Sequence, residues 1–189
     1  MKVLGIAGSP RRGGNTDLQL AEVMRGAASS GARVKTIILD ELTIAPCQHC
    51  DGCLKAGRCK VEDDMQMVYR ELEDADRIVL ASPIHFMGVT AQMKAMIDRC
   101  QALWVKKYIL KLPPLGSKER KGLFISVGGR KVANLFEPAL ATVRALFNTL
   151  NITYAGELLF SSVDEKGAIA EHPDALHQAF LAGQKLVED

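Results

Sequence analysis

The chain has 189 residues, of which 48% are hydrophobic and 24% are charged, and these ordinary globular values exclude disorder as its main state. Its 24 basic and 22 acidic residues give a net charge of +2, which argues against a dedicated nucleic-acid-binding protein. No apolar run reaches the roughly 18 residues that span a bilayer, and the apolar start is too short for a signal peptide. We therefore expect one domain over residues 1–189 that resides in the cytoplasm and binds neither membranes nor nucleic acids.

Short apolar runs alternate with helical patterns along the chain. Strands are predicted at residues 2–7, 34–39, 77–81, 123–127 and 154–160, and helices at 16–29, 62–75, 91–104, 135–150 and 174–187. Strands that alternate with helices pair in parallel and are covered on both faces. The predicted fold class is therefore α/β, a flavodoxin-like three-layer sandwich whose five-stranded parallel sheet has the order 2-1-3-4-5.

The loop after the first strand has the composition of a phosphate-binding turn. Residues 8–16 are rich in glycine and lead directly into a helix, whose first N–H groups are unpaired and attract anions. The loop matches neither a P-loop nor the dinucleotide fingerprint, and its arginines suit a terminal phosphate monoester. The alternative is a simple turn with Asn15 or Thr16 as the helix N-cap. The side chains predicted to hold the phosphate are Ser9, Arg11, Asn15 and Thr16.

The loops after strands 3 and 4 are predicted to border a flat ligand, because ligands of such sheets bind at the carboxyl ends of the strands. The first loop combines proline, aromatic rings and glycine, and Thr90 is expected to cap the helix that follows. The second contains consecutive glycines that let a ligand approach the backbone. The alternatives are core or interface roles for the rings and a plain turn at the glycines. The predicted contact residues are Pro83, Ile84, His85, Phe86, Met87 and Gly88, with Ser126, Gly128 and Gly129.

Four of the five cysteines fall in one loop, at residues 47–59, with the spacing C-x2-C-x2-C-x5-C. This spacing is close to the iron–sulfur pattern C-x2-C-x2-C-x3-C, whereas zinc sites usually separate two C-x2-C pairs by a longer spacer. We therefore predict a [4Fe–4S] cluster, with zinc, disulfide bonds or free thiols as alternatives. The predicted ligands are Cys47, Cys50, Cys53 and Cys59. His49 is expected to be solvated or adjacent to the ligands, and Cys100 to be an inert buried thiol.

The loop motifs at residues 8–16 and 82–88, with Gln92-Met93-Lys94-Ala95-Met96-Ile97-Asp98-Arg99, resemble the NAD(P)H-dependent FMN reductase family of flavodoxin-like proteins. Together with the cysteine motif they resemble its iron–sulfur flavoproteins. This resemblance implies FMN, with its phosphate on the first loop and its ring against residues 83–88 and 126–129. Relatives often have tyrosine in place of His85, which leaves the ring contact there less defined than the phosphate site.

The resemblance also implies a homodimer or tetramer with FMN near a subunit interface, and ferredoxin rather than NAD(P)H as the electron donor. The function that we expect is an FMN-dependent oxidoreductase that passes electrons between a [4Fe–4S] cluster and FMN. The alternatives are an NAD(P)H-dependent FMN or quinone reductase without a cluster, and a flavin-binding sensor whose thiols respond to oxidation.

Overall fold

The computed structural model describes residues 1–188, in which strands and helices alternate as predicted. The strands β1 to β5 form one parallel sheet of order β2-β1-β3-β4-β5, which confirms the predicted order. They are β1 (Lys2–Ala7), β2 (Arg33–Ile38), β3 (Arg77–Ala81), β4 (Arg120–Gly128) and β5 (Ile152–Ser161). The helices are α1 (Asn15–Ser29), α2 (Met65–Asp74), α3 (Ala91–Arg99), α4 (Gln101–Trp104), α5 (Glu137–Leu150) and α6 (Ala175–Glu188), with short 3-10 turns at Leu39–Glu41 and Ala168–Ala170.

Helices cover both faces of the sheet, so the predicted three layers are confirmed. Side chains of a strand point alternately to its two faces. Leu4 and Ile6 of β1 therefore join the core beneath α2, α3 and α5, whereas Val3 and Ala7 join the core beneath α1 and α6. None of the helices formed by residues 1–188 has the length and apolar character required to traverse a bilayer.

Helices α1 and α6 pack closely because a glycine of each faces the backbone of the other. A Cβ atom on Gly26 would lie 2.0 Å from the Phe180 carbonyl oxygen, and one on Gly183 would lie 2.0 Å from that of Val23. No side chain fits at such distances, so the approach requires glycine. This contact fixes the C-terminal helix, and the loop before it, against the start of α1.

The predicted helix over residues 91–104 is interrupted, and the interruption has a clear cause. The Leu103 N–H bonds to the Cys100 carbonyl at 2.9 Å and not to the Arg99 carbonyl, as a continuous α-helix would require. The Arg99 carbonyl instead accepts a hydrogen bond from the Tyr69 hydroxyl at 2.5 Å. The chain therefore turns after Arg99 into α4 and a π-helical turn at Val105–Ile109. Arg99 is therefore the last residue of α3.

Other predicted boundaries also shift: α5 begins at Glu137 rather than at 135 and β5 at Ile152 rather than at 154, and two further shifts have a visible cause. The helix predicted from residue 62 begins at Met65, whose N–H bonds to the Asp63 carboxylate at 3.1 Å. Strand β4 begins at Arg120, earlier than predicted, because Arg120 is buried and donates to the carbonyls of Glu73, Ala75 and Leu115. A strand that begins with polar residues carries no apolar signal in the sequence.

The loops at the carboxyl edge of the sheet are joined to one another by hydrogen bonds. The Gly8 N–H bonds to the Ala81 carbonyl at 2.8 Å, and the Ile84 N–H bonds to the Val127 carbonyl at 2.9 Å. Thr90 caps α3 as predicted, accepting from Met93 N–H at 3.3 Å. The Thr90 hydroxyl also donates to the Gly8 carbonyl at 2.5 Å. The three strand-end loops therefore form one rigid rim.

Candidate functional site

A pocket of 170 Å³ opens at the carboxyl edge of the sheet, at the start of α1. All four residues predicted to hold a phosphate, Ser9, Arg11, Asn15 and Thr16, line this pocket. Ser9 is buried, and its hydroxyl accepts a hydrogen bond from the Arg11 N–H at 3.1 Å. The first loop therefore folds back on itself and presents its polar groups to one small volume.

The start of α1 fits an anion. The N-cap is Gly14, with an extended backbone and no side-chain cap hydrogen bond, so the alternative in which Asn15 or Thr16 is the N-cap is wrong. The N–H groups of an uncapped first turn need acceptors and lie at the positive end of the helix dipole. A phosphate group in this pocket would supply those acceptors.

The loop after β5 closes the phosphate pocket, and we did not predict its role from the sequence. The Arg11 guanidinium donates to the Asp164 carbonyl at 3.1 Å, and the Asn15 amide donates to the Glu165 carbonyl at 2.9 Å. The Asn15 side-chain oxygen in turn accepts from the Ile169 N–H at 3.2 Å. Asp164 itself lines the pocket. Two of the predicted phosphate ligands are thus positioned by a distant segment.

The two adjacent arginines of the first loop have different surroundings. Arg11 lines the pocket, whereas Arg12 donates to the Asp17 carboxylate at 3.1 Å and lies 3.5 Å from a Glu41 oxygen. The Asp17 carboxylate also accepts from the Gly13 N–H at 2.9 Å. Arg11 is therefore the arginine placed to meet a phosphate.

A second pocket, of 530 Å³, adjoins the first and shares Ile84, Gly129 and Asp164 with it. Phe86, Met87 and Gly128 line it, together with Arg130, Val132 and Leu135 from the start of the β4–α5 connection. A small polar pocket that continues into a wider, partly apolar one suits a molecule with a phosphate at one end and a planar ring at the other. FMN has this form.

A tight turn projects two of the predicted ring contacts toward solvent. The His85 N–H and the Gly88 N–H each bond to the other residue's carbonyl, at 2.9 and 3.0 Å. Between them Phe86 and Met87 have φ angles of 47° and 67°, a left-handed conformation that is unusual for bulky residues. Phe86 is fully exposed at 106%. Such backbone strain is typical of active sites and of sites that bind a ligand.

The remaining predicted contacts lie in different places. Pro83 and His85 line the smaller pocket rather than the larger one. Gly88 closes the tight turn and lines neither pocket. Ser126 is buried within β4, where its hydroxyl donates to the Ser82 carbonyl at 2.8 Å, and it also lies outside both pockets.

The cysteine loop brings its four thiols to one cavity. Cys47, Cys50, Cys53 and Cys59 all line a cavity of 40 Å³ and none forms a disulfide bond. Burial raises the pKa of Cys53, and the nearby charges of the other three thiols raise it further. Cys100 is buried as expected, and His49 is exposed.

This donor set fits an iron–sulfur cluster. Within residues 1–188, no three cysteine, histidine or acidic side chains converge closely enough to hold a single metal ion. A cubane cluster holds its four ligand sulfurs farther apart than a single ion does, and four thiolates complete its ligand set. Leu54 N–H bonds to Asp51 and Gly57 N–H bonds to Cys53, at 3.1 and 2.8 Å, so two turns curl the chain around the cavity.

Arg99 also lines the cysteine cavity, a position that we did not predict from the sequence. It forms a buried ion pair with Asp63, and their closest atoms are 2.5 Å apart. Burial opposes the charge on Arg99, but the bond to Asp63 and the neighbouring Cys59 thiol together raise its pKa. Burial likewise opposes ionisation of Asp63, but bonds from Arg99 and from two backbone N–H groups hold the pKa of that carboxyl below its usual value.

Comparison with known proteins agrees with this geometry. The family model described as NADPH-dependent FMN reductase matches residues 1–162. An iron–sulfur flavoprotein of Archaeoglobus fulgidus is 39% identical over 130 residues, which are 69% of this chain and 63% of that protein. An iron–sulfur flavoprotein of Methanocaldococcus jannaschii is 35% identical over 148 residues, which are 78% of this chain and 71% of that protein. The chain thus spans less than two thirds of the Archaeoglobus protein.

Solved structures share the fold. A flavone reductase superposes with a TM-score of 0.75 at 24% identity, covering 100% of this chain and 62% of that one. A flavodoxin from the domain Archaea superposes with a TM-score of 0.61 at 15% identity, covering 100% of this chain and 97% of that one.

The sheet order and the solved structures define a flavodoxin-like α/β fold. The chain belongs to the NADPH-dependent FMN reductase family, a family of flavin-dependent oxidoreductases, and within it to the iron–sulfur flavoproteins. The predicted family membership and fold class are therefore confirmed.

Proposed function

We propose that this protein is an FMN-dependent electron-transfer oxidoreductase that passes electrons between a [4Fe–4S] cluster and FMN. The observation that carries the proposal is that one chain presents both two adjoining pockets at the carboxyl edge of the sheet and a separate cavity lined by four thiols. Relatives named iron–sulfur flavoproteins support the same pairing of cofactors.

The chain's part in this chemistry is to bind and orient the two groups. Ser9, Arg11, Asn15 and Thr16, with the start of α1, would hold the FMN phosphate. The backbone at Gly128 and Gly129 would lie against the ring, where N–H groups can stabilise negative charge on the flavin. When bound, FMN can hold one or two electrons, so it can pair single electrons for a two-electron acceptor.

The four cysteines would hold the cluster at the far end of α3 from the flavin groove. Helix α3 has 9 residues, and at about 1.5 Å per residue it separates the two sites by about 14 Å. Thr90 at its start is bonded to the first loop, and Arg99 at its end lines the cysteine cavity.

Exposed apolar side chains surround both sites, which supports a homodimer or tetramer. Phe86, Met87 and Val132 are exposed at the flavin groove. Leu54 is exposed at the cysteine loop, and Trp104, Ile109 and Leu112 are exposed on the segment that follows α3. Apolar patches rimmed by polar residues mark interfaces. An assembly that joins these patches would bring the flavin of one subunit near the cysteines of its partner.

The electron donor would be a ferredoxin rather than NAD(P)H. Lys55 and Arg58 are exposed on the cysteine loop, and exposed positive charge accelerates docking of an acidic one-electron carrier. The reduction rate with such a carrier should fall steeply as salt rises, whereas a rate that is independent of salt would contradict electrostatic docking at this loop.

Iron and acid-labile sulfide, measured on anaerobically purified protein, test the proposal. We expect both at cluster stoichiometry, with a broad visible absorption beneath the flavin bands. Replacing Cys50 with Ser should remove or damage the cluster and leave FMN bound, whereas Cys100→Ala is a matched control because Cys100 is the cysteine outside the loop. Joint loss of iron and FMN in the Cys50 variant would contradict two separate sites.

The second candidate is an NAD(P)H-dependent FMN or quinone reductase without a cluster. A putative NAD(P)H-dependent FMN-containing oxidoreductase of Bacillus subtilis is 27% identical over 192 residues, covering 100% of this chain and 97% of that protein. This candidate predicts flavin absorption without iron, together with flavin reduction by NAD(P)H in the absence of any protein donor. The iron measurement separates the two candidates directly.

A further inference from the structure

The hydrogen bonds of the buried Arg99 leave one of its donors unused. Its Nη1 atom donates to the Ala45 carbonyl at 2.9 Å and to Asp63 at 2.5 Å, and its Nη2 atom donates to Asp63 at 3.0 Å and to the Val61 carbonyl at 3.3 Å. Its Nε atom is buried and has no partner among residues 1–188. Buried donors are almost always paired in native structures, so this N–H points to an acceptor that is a ligand of the protein.

The cavity beside Arg99 identifies the chemistry of that acceptor. Arg99 is 1% exposed and lines the same cavity as the four cysteines. Cys59 lines that cavity with Arg99 and is close enough to help raise the pKa of the guanidinium. Sulfur is a weak acceptor as a thiol and a stronger one as a metal-bound thiolate or sulfide, because the latter carries negative charge.

We propose that Arg99 is the positioning residue of the cysteine loop, that its Nε–H donates to the Cys59 sulfur, and that its charge stabilises the reduced state of the cluster bound there. This inference rests on the proposed function. Asp63 holds the guanidinium through both Nη atoms, which leaves Nε as the donor that is free to bond to the sulfur. A lysine could not satisfy both partners, because only arginine has a planar fork of donors.

The exposed cations of the same loop cannot take this role to the same extent. Lys55, Arg58 and Lys60 are exposed, so water and salt screen their charges. Arg99 is removed from water, and a charge in such surroundings acts more strongly on its neighbours. Reduction adds negative charge to the cluster, so a neighbouring buried cation raises its reduction potential.

The test measures the reduction potential of the cluster by spectroelectrochemistry, with iron and FMN contents determined on the same anaerobic samples. Removing Arg99 alone would leave the buried Asp63 carboxylate unpaired and endanger folding. The informative pair is therefore D63N and D63N/R99Q, which differ in the arginine alone. We expect the reduction equilibrium to become about tenfold less favourable in the double variant, a fall of about 59 mV for a one-electron couple.

A matched control is Lys60→Gln, which removes an exposed charge from the same cavity wall. We expect it to change the cluster's reduction equilibrium by less than twofold, and we expect the flavin potential to be unchanged in all three variants. Loss of iron from D63N/R99Q, with iron and FMN retained in D63N, would also support the contact.

Equal cluster potentials in D63N and D63N/R99Q, or an equal shift in Lys60→Gln, would overturn the inference while leaving the proposed function intact. Wild-type protein that carries no iron would instead refute the proposed function, and the inference with it. The iron content of the wild type therefore distinguishes the two failures.

Discussion

Replacing Arg11 with Ala should weaken FMN binding and leave riboflavin binding nearly unchanged. Arg11 lines the pocket at the start of α1, and only FMN carries a phosphate to place there. Arg12 offers a matched control in the same loop, because its guanidinium is already paired with Asp17 and Glu41.

The expected magnitude follows from the surroundings of Arg11. A hydrogen bond to a charged group contributes about 1.5–3 kcal/mol, and about 1.4 kcal/mol corresponds to tenfold in affinity. The Arg11 side chain is exposed and one of its N–H groups is bonded to the Asp164 carbonyl, so the low end of this range applies. We therefore expect the dissociation constant for FMN to rise roughly 10- to 30-fold.

Quenching of flavin fluorescence during titration of the apoprotein measures both constants. Riboflavin affinity should change less than threefold in R11A, and FMN affinity should change less than threefold in R12A. Equal losses for the two flavins, or equal effects of the two substitutions, would refute the placement of the phosphate at this loop. Added salt should narrow the difference between FMN and riboflavin, because the contact is ionic.

Three further predictions concern stability. Replacing the Phe86–Met87 pair by Asn-Gly should raise the melting temperature, because a positive φ at a bulky residue costs about 1–3 kcal/mol. The same change should weaken the binding of FMN and of riboflavin by similar factors. Unchanged flavin affinity would show that the turn does not touch the ring. Gly183→Ala should lower the free energy of unfolding in urea by about 2 kcal/mol or more, because the new Cβ atom has no room. The control is Gly31→Ala, where the Cβ atom would lie in open space at a φ of 85° and should cost about 1 kcal/mol. Similar losses in the two variants would contradict the close helix contact. A depressed carboxyl pKa contributes stability that is fully present above the unfolded value of about 3.9. The urea midpoint should therefore fall as the pH drops from that value through the lower folded pKa of Asp63. The same fall in D63N would contradict this contribution.

The sheet order could be predicted from the sequence because its signals are local. Each predicted strand is a short run of apolar residues, and the helices between them require parallel pairing. The boundaries were less predictable where polar residues belong to the fold. Arg120 begins β4 as a buried guanidinium bonded to four carbonyls, and nothing in the adjacent residues distinguishes it from a surface arginine.

The candidate site, like the fold, could be predicted from the sequence only where its signals are local. The phosphate loop lies on consecutive residues at the start of a helix, so composition alone indicated it. Asp164 meets Arg11 across 153 residues of sequence, and this contact depends on the packing of β5. A signal was nevertheless present, because β5 ends at the same edge of the sheet as β1, β3 and β4, and its loop could have been included on that ground.

Arg99 shows a different limit. Its motif was visible in the sequence as part of the family resemblance, but its ion pair with Asp63 and its place in the cysteine cavity are contacts between distant segments. The interruption of the helix after Arg99 was equally hidden, because it involves a hydrogen bond from the Tyr69 hydroxyl of α2 to the Arg99 carbonyl, and periodicity does not report such a contact.

The hydrogen bonds that Arg11 and Asn15 form with the loop after β5 set a minimum length for any flavin-binding fragment of this protein. The family match ends at residue 162, yet the carbonyls of Asp164 and Glu165 that orient these two side chains lie beyond it. A truncation designed on the matched region alone would keep every residue predicted to contact the phosphate and still discard the carbonyls that orient two of them. Engineers who wish to shorten the chain should therefore retain the segment after β5 together with the final helix.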